Sequence, residues 1–197
     1  MAKRAFDIFF SLLGLTILGL PMLAVSIIIK LTDHGPVLYK QVRVGKDGRE
    51  FKIFKFRTMV VNADRIGAQI TVGRDPRITR IGQFLRKSKL DELPQLLNVL
   101  LGTMSFVGPR PEVPKYVAMY NDQQRQVLSV KPGITDLASI KYHRESEILA
   151  QAGDDWEKAY IEQVMPDKLT LNLEYIGRQS LLFDVSLIIK TLLRISH

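Results

Sequence analysis

The sequence predicts an α+β fold, mostly helical, with an N-terminal membrane helix, a small β-hairpin or sheet, and amphipathic helices around it. Three observations carry that expectation. Residues 5–29 are almost uniformly apolar. Residues 37–56 carry β-branched and aromatic residues with interleaved lysines about a Gly-Lys-Asp-Gly turn. Beyond residue 75, apolar residues recur at helical spacing. The chain of 197 residues suits one domain plus a membrane element, divided here as 1–33 (membrane-embedded helix) and 34–197 (the body that follows it).

The run from Ala5 to Ile29 reads AFDIFFSLLGLTILGLPMLAVSIII, with Asp7 as its one charge. Spanning a bilayer takes roughly 20 apolar residues, so the run is long enough. Apolar on every face, it is out of place as the core helix of so small a protein. A cleaved signal peptide fits badly, because Asp7 interrupts the run, the run is too long and no small-x-small site follows. Pro21 removes a backbone donor and predicts a kink. Lys3 and Arg4 precede the run and Lys30 follows it, so flanking positive charge gives no orientation. On these features a spanning helix and a re-entrant helix both remain open.

Residues 37–44 and 50–56 predict a β-hairpin through Gly45-Lys46-Asp47-Gly48. Asp75-Pro76 predicts a helix start with Asp75 as N-cap, and Ile78, Ile81 and Leu85 follow on one face. A second helix is expected from Asp91, which keeps Pro94 in the first turn and lines up Leu96, Leu97, Leu100 and Leu101. Gly108-Pro109-Arg110-Pro111 cannot be helix interior, and Pro132-Gly133 marks a turn. A short helix is expected over 154–165. Residues 181–195 suit an amphipathic helix at a membrane surface, and equally a core helix.

The net charge of +8 points to anionic partners: phosphorylated substrates, lipid headgroups or nucleic acid. The aromatics sit in apolar settings rather than along a basic stripe, which argues against nucleic acid. The absence of cysteine excludes disulfides and cysteine-ligated zinc. His34 and His143 lack spaced ligand partners and His197 is terminal, so none is expected to be catalytic. No phosphate-binding glycine loop occurs.

Asp91 and Glu92 alone are what any helix start prefers. Their surroundings say more: Arg80, Arg86, Lys87 and Lys89 lie nearby in sequence. A carboxylate among such cations stays ionised and can attack phosphorus, while the cations bind phosphate. Arg110, between two prolines, projects from a stiff segment that suits bidentate phosphate binding, although a surface-loop arginine has the same local sequence.

Ser88-Lys89-Leu90-Asp91-Glu92-Leu93-Pro94-Gln95-Leu96, followed by Met104-Ser105-Phe106-Val107-Gly108-Pro109-Arg110-Pro111, resembles the bacterial sugar transferase family, the small monotopic phosphoglycosyl transferases. Lys55-Phe56-Arg57-Thr58-Met59, Asp75-Pro76-Arg77 and Lys131-Pro132-Gly133-Ile134-Thr135 match in the same order. The resemblance implies that Asp91 attacks the β-phosphate of a UDP-sugar, UMP leaves, and polyprenyl (undecaprenyl) phosphate takes the sugar phosphate from the aspartate. Glu92 is implied as a second catalytic carboxylate. Arg86, Arg110, Arg57 and Lys55 are implied as substrate- and phosphate-binding residues, and Mg2+, held by Asp91, as the cation that neutralises phosphate. It further implies a re-entrant helix kinked near Pro21, a place on the cytoplasmic face of the bacterial inner membrane, and contact with membrane lipids. A homodimer is compatible with it.

The sequence departs from the family pattern in three places. The family breaks its helix at Ser-Pro, where this chain has Leu20-Pro21. It commonly has Gly-Asp-Met at Gly102-Thr103-Met104. It also continues Pro-Gly-Ile-Thr with Gly, where this chain runs Asp136-Leu137-Ala138-Ser139-Ile140-Lys141-Tyr142. The sugar and the glycan pathway stay open. The competing reading is a non-enzymatic membrane adaptor that binds anionic lipid or a partner and has no need of Asp91.

Overall fold

The computed structural model describes residues 2–63, 66, 70–73 and 75–195, and His197 lies outside them. Helix α1 (Ala2–Asp33) is one continuous helix with Pro21 inside it, so the expected kink does not interrupt it. It is long and apolar enough to cross a membrane by length and composition. A single stripe of it is covered: Asp7, Ser11 and Ile29 are buried, and Arg4, Gly14, Leu18, Met22 and Val25 are half-buried. These residues recur every three or four positions, one face of a helix. The rest of its surface is exposed and apolar, including Phe9, Ile17, Leu20, Leu23, Ile27 and Leu31.

The covered stripe touches the body at both ends. Near the start, Lys3 Nζ donates to the Val107 carbonyl (2.9 Å) and pairs with Asp184. Arg4 donates to the carbonyls of Val99 (2.6 Å) and Leu100 (2.8 Å). Those carbonyls belong to the last turn of α3 (Gln95–Leu101), where a cation satisfies acceptors left open by the helix. Near its end, Ile29 packs with Phe56 and Leu85. Leu85 is fully buried, which contributes roughly 1.5–3 kcal/mol.

The hairpin forms as expected. Strands β1 (Leu38–Val44) and β2 (Glu50–Phe56) pair antiparallel from Leu38↔Phe56 to Val44↔Glu50. Asp47 and Gly48 carry positive φ in the turn. The free edge of β2 is latched by Asn98 of α3, whose amide donates to the Lys52 carbonyl (2.8 Å) and whose Oδ1 accepts from Phe54 N (2.9 Å).

Two helices start later than the sequence predicts. Helix α2 spans Arg80–Lys87 with Thr79 as N-cap, accepting from Gly82 N, whereas Asp75 turns its carboxylate to Arg77. Residues 75–78 form a single turn instead, Ile78 N donating to the Asp75 carbonyl (3.2 Å), and a bridge between Met59 and Ile78 and Thr79 N donating to the Thr58 carbonyl hold it against residues 58–59. After α2, Lys89 adopts φ 58° and a single 3-10 turn covers Leu90–Glu92. Helix α3 follows, with Pro94 as its N-cap rather than inside its first turn. Pro94 has no N–H to continue the ladder, so the 3-10 turn and α3 stay separate. This register buries Leu96 and Val99 and leaves Leu101 exposed, not on the packed face.

Strand β3 (Ser105–Val107) then pairs parallel with β4 (Gly133–Thr135), a second sheet not foreseen in the sequence. Gly108 and Gly133 pack backbone to backbone: a Cβ at Gly133 would lie 2.1 Å from Gly108 N. Short helices α4 (Pro114–Val117) and α5 (Asp122–Arg125) connect the two strands. Helices α6 (Leu137–Lys141) and α7 (Glu145–Ala150) follow β4.

The expected helix over 154–165 is part of a longer helical stretch. Helix α8 (Trp156–Ala159) passes through a π turn (Tyr160–Val164) into α9 (Met165–Gly177). Pro166 supplies no N–H to the turn before it, and the widened turn precedes it. The last helix, α10 (Leu181–Ile195), packs one face on the core, as one of the two expectations had it, and leaves apolar groups exposed on the other. Leu187 and Asp184 are buried, while Leu182, Leu192 and Leu193 are exposed.

Candidate active site

Three separate elements bring Asp91 and Glu92 to their partners. The positive φ at Lys89 turns the chain out of α2 and delivers the acid pair in the 3-10 turn. Strand β2, fixed on one edge by β1 and on the other by Asn98, presents Lys55. The exit of β3 presents Arg110. Glu92 Oε1 accepts from Lys55 Nζ at 2.8 Å and from Arg110 Nη2 at 2.6 Å. Asp91 is buried beside them.

The two carboxyls are driven apart electrostatically. Burial, the largest influence on Glu92, disfavours its charge, but Arg110 and Lys55 together outweigh it and hold the carboxyl well below the usual range. Asp91 is raised, chiefly by burial and also by the charge of Glu92, against the pull of Lys55, Arg86 and Lys89. The surrounding cations, expected from the sequence to keep Asp91 ionised, do lower it, but desolvation outweighs them. Lys55 is lowered by burial, with Glu92 and Asp91 opposing.

The pair opens onto a cleft of about 1130 Å³. Lys55, Arg57, Arg86 and Arg110, all expected in the site, line it together with Arg77, Lys87 and Lys89. Arg86 is held by Thr58 Oγ1 (2.8 Å) and Thr71 Oγ1 (3.0 Å). Arg57 is buried, its guanidinium packed so close to Gly35 that a Cβ there would lie 2.1 Å from Nη1. Arg77 is occupied by Asp75. Arg110 and Lys55 thus reach the acid pair directly, Arg86 flanks it, and Arg57 forms a deeper wall.

Sequence reasoning missed the supports. Thr58 and Thr71 hold Arg86. Glu112, just after the Pro-Arg-Pro segment, takes Arg43 (3.2 Å) and the Tyr160 hydroxyl. Tyr160 opens the π turn and lines the cleft. Its phenol is pushed far up, first by burial and then by Glu112. The signals available were the acid immediately following Pro111 and Pro166 in the first turn of α9. His143, expected to be non-catalytic, also lines the cleft; His34 follows α1 at positive φ.

Among the described residues no three acid or imidazole groups cluster as a ready metal cage. Glu92 Oε1 is already taken by two cations. The buried Asp91 carboxylate beside it, with no ion pair among the described residues, has the chemistry to share a cation with substrate phosphates, the mode magnesium commonly uses.

A family model described as bacterial sugar transferase matches residues 1–197. An Escherichia coli UDP-glucose:undecaprenyl-phosphate glucose-1-phosphate transferase is 38% identical over 202 residues, covering 98% of this chain and 40% of that protein. The exopolysaccharide production protein PSS of Rhizobium leguminosarum is 41% identical over 196 residues, covering 96% of this chain and 92% of that protein. An Aeromonas hydrophila UDP-N-acetylgalactosamine-undecaprenyl-phosphate N-acetylgalactosaminephosphotransferase is 36% identical, covering 96% of this chain and 42% of that protein. The chain therefore spans about two fifths of the E. coli and Aeromonas relatives and nearly all of the Rhizobium one.

Proposed function

The chain belongs to the bacterial sugar transferase family, and on that premise we propose that it moves a sugar 1-phosphate from a UDP-sugar to undecaprenyl phosphate and releases UMP. The observation that carries this reading is the unequal acid pair. Glu92 is neutralised by Lys55 and Arg110, while Asp91, next to it, faces a cation-lined cleft without an ion pair of its own among the described residues. A carboxylate so placed is a nucleophile for phosphorus, and burial strips the water that would blunt it.

In this reading the diphosphate of the donor lies against Arg110 and Arg86. An oxygen of ionised Asp91 bonds to the β-phosphorus, and the bond from that phosphorus to the bridging oxygen breaks. The electron pair leaves with UMP, and the sugar phosphate stays on Asp91. A phosphate oxygen of the polyprenyl acceptor then attacks the same phosphorus. The aspartate is released, and the product is a polyprenyl diphosphate sugar. Glu92 keeps Lys55 and Arg110 in place around the reacting phosphate. Magnesium, held by Asp91 and donor oxygens, would supply charge neutralisation.

Placement at the membrane follows from α1. A helix of 32 residues is about 48 Å long. Both of its ends pack on the same body, so crossing a bilayer outright would drag that body into lipid. Association from one face, with the uncovered side of α1 in the bilayer, avoids this. We place that face on the cytoplasmic side of the inner membrane, where residues 34–197 meet the UDP-sugar. The test is UMP release in nanodiscs with magnesium, undecaprenyl phosphate and a panel of UDP-sugars. Acceptor-dependent release with one sugar, abolished in Asp91→Asn, is expected. No release from any sugar by folded protein would leave the adaptor reading.

A further inference from the structure

Arg110 has to be aimed at Glu92 and the donor phosphates, yet it leaves a strand of three residues. Its backbone is tied down by two bonds to β4. Gly108 N donates to the Thr135 carbonyl (3.1 Å), and Gly133 N donates to the Pro109 carbonyl (3.1 Å). The second bond falls back to the start of β4 instead of advancing along it, so the chain has left the β3–β4 ladder before Arg110. Pro109 and Pro111 have no N–H, so the Arg110 amide is the one donor left between them.

The Asp136 side chain takes over where β4 ends. It is fully buried. Its Oδ2 accepts from Arg110 N at 2.9 Å, and its Oδ1 accepts from Ser139 N, capping α6. One carboxylate therefore fastens the Pro109-Arg110-Pro111 segment to the start of α6, whose Ser139 lines the cleft. The chain runs from Asp136 to the Arg110 backbone, and from the Arg110 guanidinium to Glu92 (2.6 Å).

We propose that Asp136 is a positioning residue of the transfer site, acting through Arg110. The proposal rests on the transferase reading above. It separates from a purely structural role because the two bonds can be removed separately. Asp136→Ser keeps a good helix cap for Ser139 N, but its single short hydroxyl cannot also hold Arg110 N. Asp136→Asn likewise keeps one acceptor, and places an amide donor beside the other amide.

The experiment measures equilibrium binding of UDP, with magnesium, to the full chain in nanodiscs, together with kcat/KM for the active UDP-sugar. Five proteins are compared: wild type, Asp136→Ser, Arg110→Ala, the double variant, and Asp136→Asn as a second version of the first change. Loss of one hydrogen bond supporting a charged contact predicts about a tenfold weaker UDP affinity in Asp136→Ser. On the Arg110→Ala background the same change should matter less than about twofold, because coupled residues are not additive. Full additivity in the cycle would overturn the proposal, as would Asp136→Ser and Asp136→Asn both matching wild type. Wild type that binds no UDP would sink the transferase reading and this inference with it. Wild type that binds UDP while the Asp136 variants match it sinks the inference alone.

Discussion

At the scale of single residues, the site turns on two adjacent carboxyls placed in opposite environments. Glu92 is lowered by Arg110 and Lys55. Its ion pairs therefore stabilise the fold above the ordinary glutamate range near 4.5, and that stability is lost as pH falls through the lowered folded value. Thermal unfolding between pH 3 and 7 should show wild type losing stability relative to Glu92→Gln as the solution is acidified. Asp91 has the opposite sign. Raised by burial, it favours the fold at low pH, and that contribution is lost as pH rises through its folded value. Asp91→Asn should therefore raise the melting temperature at pH 7 while lowering turnover by roughly a thousandfold or more. An Asp91→Asn protein less stable than wild type at pH 7 would contradict this account of the pair. Lys55→Met leaves Glu92 with Arg110 alone in a buried setting, and should cost about 1–3 kcal/mol in denaturant unfolding.

At the scale of elements, close backbone approach sets the cation wall. A Cβ at Gly82 of α2 would lie 2.0 Å from the Thr58 carbonyl oxygen. Gly82→Ala must push α2 off the segment that holds Arg86 through Thr58 Oγ1. About 1–3 kcal/mol of destabilisation is expected, with weaker donor binding, read by denaturant unfolding and UDP titration. This is also where the sequence was least legible. Asp75-Pro76 has every local sign of a helix start, but the Met59–Ile78 bridge, a contact distant in sequence, limits those residues to a single turn. Strands β3 and β4 are three residues each among glycines and prolines, too short for a periodic pattern. The hairpin was legible because seven-residue strands and a glycine turn carry their own signal. Of the site, Asp91, Glu92, Lys55, Arg86 and Arg110 were legible from motifs. Thr58, Glu112, Asp136 and Tyr160 were not, since each matters only through a partner the fold brings to it.

At the scale of the whole molecule, α1 is a structural strap on one side and, in the proposed reading, the surface offered to lipid on the other. Lys3 and Arg4 tie it to β3 and α3, and Ile29 ties it to the core beside the hairpin. Its other side leaves large apolar groups uncovered, and Leu182, Leu192 and Leu193 of α10 add to the exposed apolar surface. Replacing Leu20, Leu23 and Ile27 with Gln touches only exposed positions. It should lower binding to anionic liposomes by more than about tenfold in a flotation assay while the fold is retained. Unchanged flotation would show that this face of α1 does not meet the bilayer. The net charge of +8 suits both anionic lipid and two phosphorylated substrates.

The most direct test of the central claim asks whether Asp91 carries the sugar phosphate. Protein in nanodiscs would be incubated with magnesium and the active UDP-sugar labelled in its β-phosphate, without acceptor, then quenched and digested. The account predicts label on the peptide containing Asp91, released on adding undecaprenyl phosphate and absent from Asp91→Asn. Turnover with no trapped label under fast quenching, or label on another residue, would contradict it.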